Sequence, residues 1–439
     1  MATLCNHARI TAGYNPKQKE HGMGAYLDLN PELTPTQQSL KEEMHRFAAE
    51  VARPASVELD KLADPEDVIK EGSVFWDVFR KFYELGHHVS ALPEEVGGAN
   101  IRGLDGHILA EEIGWGSSDF GVGLGVSAMP FMMGLVAATM TGNQRLIDDL
   151  VTPFVQDREA KLIGCWAITE PGHGSDCLAF GTGEYTDERT SFDTYGRHDG
   201  DDWLINGAKA AWVSNGTIAT HAMVHFAIDR SKGMPGSGIA VIPLGLPGVS
   251  RGKPLNKIGQ RALNQGEIFF DDVRIPKEYV FVEQDMYILA ADLILSTANG
   301  GMGSLFTGVA RAAFEEAMAY CKQRVQGGKL LSEHQLVQRK LFDMFIKVES
   351  ARQLSRAVAV YNSAAMLPVS RLGIGSKVYC TQVAFEVASD AVQLFGGMGL
   401  SKECLVEKLF RDARAALIED GSNDMLALAG AVQLIGSYV

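Results

Sequence analysis

Between two long stretches of helical periodicity, residues 161–276 read as short strands separated by turns, and this interruption limits the folds open to the chain. Leu162-Ile163-Gly164-Cys165-Trp166-Ala167-Ile168 is an apolar run suited to a buried strand. Asp202–Gly207, Ala222–Ala227, Ile239–Pro243 and Gly266–Val273 follow, each short and bounded by turn residues. Ahead of them, Thr34-Pro35-Thr36-Gln37 is a helix start with proline in the first turn. Leu40, Met44, Phe47, Ala48 and Val51 then recur at helical spacing, and further helices are expected around 72–86, 104–114, 119–140 and 142–156. After Pro276 the helical pattern returns over 284–323, 328–365, 368–395 and 402–418. Helices, then strands, then helices leave no βαβ alternation, so the expected class is a multidomain α+β fold. The expected divisions are an N-terminal extension at 1–30, a helical domain at 31–160, a β domain at 161–280 and a helical domain at 281–439.

Charge and cysteine usage narrow the function. The 439 residues carry a net charge of −14, which argues against broad nucleic-acid binding and against an anionic membrane surface. The six cysteines are scattered, with no C-x-x-C pair and no histidine at ligand spacing, so a reducing compartment and no metal are expected. Residues 1–30 have no apolar core of a secretory signal, and the apolar run Met129–Met140 is only twelve residues long. A cytoplasmic protein without a membrane span is the expectation.

Four motifs have the chemistry of a site. Thr169-Glu170-Pro171-Gly172-His173-Gly174-Ser175-Asp176 follows a strand, and its proline and glycines make a turn that exposes backbone N–H groups beside two hydroxyls. Ala211-Trp212-Val213-Ser214-Asn215-Gly216 offers an indole to stack on a ring and a hydroxyl to donate. Gln393-Leu394-Phe395-Gly396-Gly397-Met398-Gly399 ends a helix and lets phosphates approach the backbone, without the spacing of a Rossmann fingerprint. Arg411–Ile418 reads as a helix that breaks at Glu419-Asp420-Gly421-Ser422-Asn423, placing a carboxylate at a helix exit where proton abstraction is possible. Each has a plain alternative: a strand-end turn, a core tryptophan, a helix stop, a solvated acidic loop. Gly300-Gly301-Met302-Gly303 reads as a site of close helix packing, Gly373-Ile374-Gly375 as the start of a helix, and His87-His88 as structural.

Together these segments resemble the acyl-CoA dehydrogenase family, along with Ile205-Asn206-Gly207-Ala208-Lys209, Phe270-Asp271-Asp272-Val273-Arg274-Ile275-Pro276 and Arg411-Asp412-Ala413-Arg414. They stand in the family's order and spacing from about residue 33 to 430. The resemblance implies a helical N-terminal domain, a β-barrel-like central domain and a C-terminal four-helix bundle. It implies FAD, a CoA thioester substrate, an electron-transfer flavoprotein as acceptor and a homotetramer. By that likeness Trp166, Ile168, Thr169, Gly174 and Ser175 would line the flavin and thioester, and Trp212 and Ser214 would flank the flavin. Arg324, Gln335, Gln393, Gly396 and Gly397 would hold the pyrophosphate and adenosine, partly from a neighbouring subunit, with Ser422 and Asp424 on the adenosine side. Ser175, Leu293 and Gly421 would meet the substrate.

The family's reaction is α,β-desaturation, in which a carboxylate removes the α-proton while a hydride leaves the β-carbon for the flavin. The resemblance places the base at Asp420, with Glu419 in reserve, and makes the base residue's N–H one donor to the thioester carbonyl. Glutamate is usual at that position, and an aromatic residue usually stands where Glu419 does. Some branches carry the base near Leu293, which cannot serve. Aspartate sets the carboxylate back by about 1.5 Å, and misplacement by about 1 Å costs about a hundredfold in rate. A bulky, α-branched or cyclic acyl group would use the room, and cyclohexanecarboxyl-CoA-type dehydrogenases are similar in using aspartate. The run Asp420-Gly421-Ser422-Asn423 is also similar to nitroalkane oxidase, a homologous flavoenzyme acting on a small carbon acid. The presumed acyl-pocket segment Val126–Met133 is apolar, with no arginine to clamp a second carboxylate.

Overall fold

The computed structural model of the chain describes Leu29 and residues 32–438; the N-terminal extension otherwise lies outside the described residues. Helices come first: α1 (Pro35–Phe47), α2 (Arg53–Asp60), α3 (Pro65–Ile69), α4 (Val74–Glu84), α5 (Gly103–Gly116), α6 (Ser118–Thr141), α7 (Gln144–Leu146) and α8 (Thr152–Gln156). α1 begins at the anticipated signal. The Thr34 hydroxyl accepts from the Gln37 amide and the Gln37 side chain accepts from the Thr34 amide, so two otherwise unpaired donors are satisfied at once. α6 runs 24 residues, long and apolar enough to cross a membrane on those grounds alone, and twice the length of the apolar run seen in the sequence. Yet 61% of its most apolar window is buried inside the protein, as in a core helix. His88 stacks on Tyr83 with centroids 4.2 Å apart, a structural role.

Eight strands follow: β1 (Gly164–Ala167), β2 (Tyr195–Asp199), β3 (Asp202–Ser214), β4 (His221–Ala227), β5 (Ser237–Pro243), β6 (Val249–Arg251), β7 (Gln265–Pro276) and β8 (Val280–Val282). Their order is β6-β7-β3-β2-β4-β5-β8, with β1 parallel to β4. The barrel-like expectation needs correction. The path ends on two three-residue edge strands that do not pair with each other, so the sheet is open. Two register shifts along β3 and β7 bend the sheet without closing it.

The last part is α9 (Gln284–Cys321), β9 (Val325–Gln326), β10 (Lys329–Leu330), α10 (Gln335–Ala364), α11 (Ser370–Phe395), α12 (Leu405–Ala416) and α13 (Asn423–Ser437). The helix expected from 328 starts only at Gln335, because Gly327 (φ 63°) and Gly328 (φ 84°) turn the β9–β10 hairpin first. α13 was not foreseen; the Ser422 hydroxyl caps it by accepting from the Met425 amide. α9 and α11 approach closely at small residues. A Cβ on Gly303 would lie 2.1 Å from Ser376 Oγ, and one on Gly373 would lie 2.6 Å from the Ser296 carbonyl. Gly300 and Gly301 meet nothing within 4 Å, so only Gly303 of that run is needed for packing.

A buried ion network ties α5, α9 and α10 together. Arg311 pairs with Glu111 at 2.8 Å and with Glu112; Arg352 pairs with Glu111 at 3.0 Å and with Glu349. Burial opposes ionisation of Glu111 and Glu112, but the arginines outweigh it. Glu111 is held well below the usual carboxylate range and Glu112 falls to about 2.

Candidate active site

The loop after β1 is built on a buried ion pair. Lys209 of β3 reaches Glu170 with Nζ–Oε1 2.7 Å and donates to the Ile168 carbonyl at 3.1 Å. Glu170 also accepts from the amides of Asp193 (2.6 Å) and Thr194 (3.0 Å). Burial pushes Glu170 up, and Lys209 with these donors brings it net below the usual range. The backbone then closes on itself between Glu170 and His173, and Asp176 holds His173 Nδ1 at 2.7 Å and the Gly174 amide at 2.6 Å. Glu170, His173 and Asp193 bring three potential metal ligands within 4.8 Å of one another, but Glu170 and His173 are already engaged by Lys209 and Asp176.

That loop meets the break after α12. Ser175 Oγ accepts from the Ser422 amide at 2.9 Å, so two sequence motifs 247 residues apart form one surface. Asp420 (φ 50°) and Gly421 (φ 97°) are both left-handed, which turns the chain sharply and presents the Asp420 side chain. Asp420 is half-buried, and burial is the main influence on its carboxyl. Among the described residues no side chain or amide donates to it, and the N–H groups of Asp420 and Gly421 donate to no acceptor. Burial pushes the Asp420 carboxyl up, and Lys377 is the one cation that draws it back.

The sequence reading missed three of the groups around this turn. Lys377 of α11 is fully buried and donates to the Gly421 carbonyl (2.6 Å) and Asn423 Oδ1 (2.7 Å). Gln260, buried with φ 47°, donates to Glu419 Oε2 at 2.8 Å. Lys257 donates to the Leu263 carbonyl and Gln265 Oε1, both at 2.8 Å. Burial dominates every one of these titrations. It raises Glu419 to about 7, against Lys257 and Gln260, and lowers Lys257 and Lys377 to about 8, against the carboxylates. The one sequence signal was a lone lysine beside Ile374 and Val378 in an apolar helix.

The segments 34–155, 165–273 and 295–435 match, in order, the acyl-CoA dehydrogenase N-terminal, middle and C-terminal domains. The rat mitochondrial short-chain specific acyl-CoA dehydrogenase is 31% identical over 407 residues, covering 93% of this chain and 92% of that protein. The chain belongs to the acyl-CoA dehydrogenase family. Butyryl-CoA dehydrogenase from Megasphaera elsdenii superposes with a TM-score of 0.79 at 26% identity, over 92% of this chain and 99% of its own. A glutaryl-CoA dehydrogenase bound to glutaryl-CoA gives 0.80 at 26%, over 93% and 97%.

Acyl-CoA dehydrogenases are FAD flavoproteins, and the residues present in this one fit that cofactor. Trp212 holds its indole 57% exposed on β3, a platform for a planar ring, and Ser214 Oγ beside it accepts from Gln265 at 3.1 Å. Ile168 and Thr169 are half-buried, and Gly174 has open space where a Cβ would stand. The Trp166 side chain is buried, its indole N–H donating to His225 Nε2 at 2.9 Å. At the far end of α11, Gly396 (φ 61°) and Gly397 are exposed with nothing within 4 Å, as a phosphate cradle requires. Gln393 is exposed there, and Tyr320 stacks on Phe395 at 4.0 Å, which brings exposed Arg324 to the same end. Gln335 is exposed at the start of α10. This group sits about 24 Å along α11 from Lys377, so the structure does not gather it with Thr169, Ser175, Asp420, Gly421 and Ser422. Asp424 is exposed in the first turn of α13, and Leu293 is half-buried on α9.

Proposed function

We propose that this acyl-CoA dehydrogenase desaturates a bulky, α-branched or cyclic acyl-CoA thioester, with Asp420 as the base for the α-proton. The observation that carries the reading is the Asp420 carboxyl. It has no donor among the described residues, is raised by burial toward useful basicity, and stands beside two unused backbone N–H groups. As the α-carbon loses its proton, negative charge gathers on the thioester oxygen, and the Asp420 N–H is free to donate to it. FAD, held by Trp212 and the Thr169–Asp176 loop, would supply the acceptor for the hydride that leaves the β-carbon. The Ser175–Ser422 hydrogen bond fixes the loop against the base-bearing turn, so thioester and carboxylate keep one geometry.

Room for a wide acyl group is supported by α6. Gly125, Met129 and Met132 follow at one-turn spacing; Gly125 is exposed with nothing within 4 Å, and the methionines are only half-buried. A homotetramer is supported by apolar side chains left exposed on α10 and α13, among them Leu336, Phe342, Ile346 and Ile435. An electron-transfer flavoprotein is the acceptor that fits the family.

The test is anaerobic bleaching of the flavin band. Cyclohexanecarbonyl-CoA should bleach it faster than butyryl-CoA, and nitroethane should not bleach it. Faster bleaching by butyryl-CoA overturns the bulky-substrate reading, and bleaching by nitroethane alone overturns the thioester reading.

A further inference from the structure

We infer that Lys377 is the positioning residue of the base-bearing turn: its buried ammonium clamps the Gly421 carbonyl and the Asn423 side chain and keeps a positive charge beside Asp420. The inference rests on Asp420 being the base.

The clamp is a closed ring of bonds. Lys377 Nζ donates to the Gly421 carbonyl and Asn423 Oδ1. Asn423 Nδ2 donates to Thr381 Oγ1 (3.0 Å), and Thr381 Oγ1 donates back to the Lys377 carbonyl (2.8 Å). One turn of α11 therefore grips the backbone on the C-terminal side of the base, where two successive left-handed residues would otherwise relax. A neutral donor would serve that purpose without the cost of burying a charge. Lys377 nonetheless pairs with no carboxylate within 4.0 Å among the described residues, and the third proton of its ammonium has no protein acceptor there. A buried ammonium bonded only to neutral oxygens projects its charge outward. The nearest acids it acts on are Asp420 and Glu419. The charge has a definite task at this site: it opposes the burial that raises the Asp420 carboxyl.

The other polar and charged groups around the turn would be common to all variants: Glu419 on it, Lys257 and Gln260 before β7, Asp119 on α6, Asp412 on α12 and Asp176 after β1. The experiment compares holoenzyme carrying Lys377→Met, Lys377→Gln, Lys377→Arg or Asp420→Asn. The reading is the anaerobic flavin-bleaching rate from pH 5 to 8 with saturating cyclohexanecarbonyl-CoA or butyryl-CoA, whichever bleaches the wild type faster. Loss of the cation raises the Asp420 carboxyl further, so the rising limb should move up by about one pH unit in Lys377→Met and Lys377→Gln. Lys377→Arg should restore it. A limb unmoved in the neutral variants overturns the inference, and so does a limb restored by glutamine, since hydrogen bonding alone would then suffice. If Lys377→Met does not fold, Lys377→Gln carries the same test. Wild-type bleaching by Asp420→Asn breaks the base assignment instead, a separate outcome.

Discussion

Two of the buried charge clusters in this protein use burial in opposite ways. In the network of α5, α9 and α10, arginines and glutamates touch one another, and Glu111 and Glu112 are driven below their ordinary range. At the turn after α12 the carboxylates and lysines stand near one another without direct ion pairs among the described residues. There burial wins, raising Asp420 and Glu419 and lowering Lys257 and Lys377. The first arrangement locks protonation states apart; the second draws Glu419, Lys257 and Lys377 together around neutrality, where a proton can move at little cost. Between these two clusters, direct ion pairing separates the carboxylates that are lowered from those that stay raised.

The largest test of that contrast is Asp420→Asn, which should slow flavin reduction by about 10³-fold or more while FAD stays bound. Unchanged thermal stability beside that loss would show that the turn carries chemistry rather than fold. Arg311→Met should do the reverse. It strips Glu112 of its arginine and leaves Glu111 with Arg352 alone, and should cost about 3–5 kcal/mol in urea unfolding, with turnover per folded molecule kept within about twofold. A pH series sharpens the comparison. Glu112, lowered to about 2, contributes stability that is present above its ordinary range and lost as pH falls through about 2, so the midpoint of unfolding should drop in acid. Glu419, raised to about 7, contributes in the other sense: full below its ordinary range, lost as pH rises through about 7. Glu419→Gln should therefore stabilise the protein at pH 8 relative to pH 5 by about 1–2 kcal/mol; equal effects at the two pH values would break this half of the contrast.

The order of domains was legible because periodicity is local: the strand block, the Thr34 cap and the stop at Phe395 lie in short windows of sequence. Sheet closure was not legible, since pairing of edge strands is a long-range property. The hairpin at 325–330 was masked by its size, and α13 by the absence of a charged face that would mark its period. At the site, the turn and the loop were each visible as motifs, but their joining through Ser175 and Ser422 was not. Lys377, Gln260 and Lys257 come from elements that contact the turn only after folding. The ion network escaped for the same reason, its members being spread over three helices.

The left-handed backbone at Asp420 also bears on how this enzyme can change. Aspartate, asparagine and glycine tolerate that conformation, whereas other side chains meet about 1 kcal/mol or more of strain. From an aspartate codon, asparagine and glycine are each one transition away, and both lack a base. Glutamate needs a transversion and a backbone adjustment. Under the role proposed for Asp420, mutation at this residue therefore drifts toward loss of the carboxylate more readily than toward a longer one.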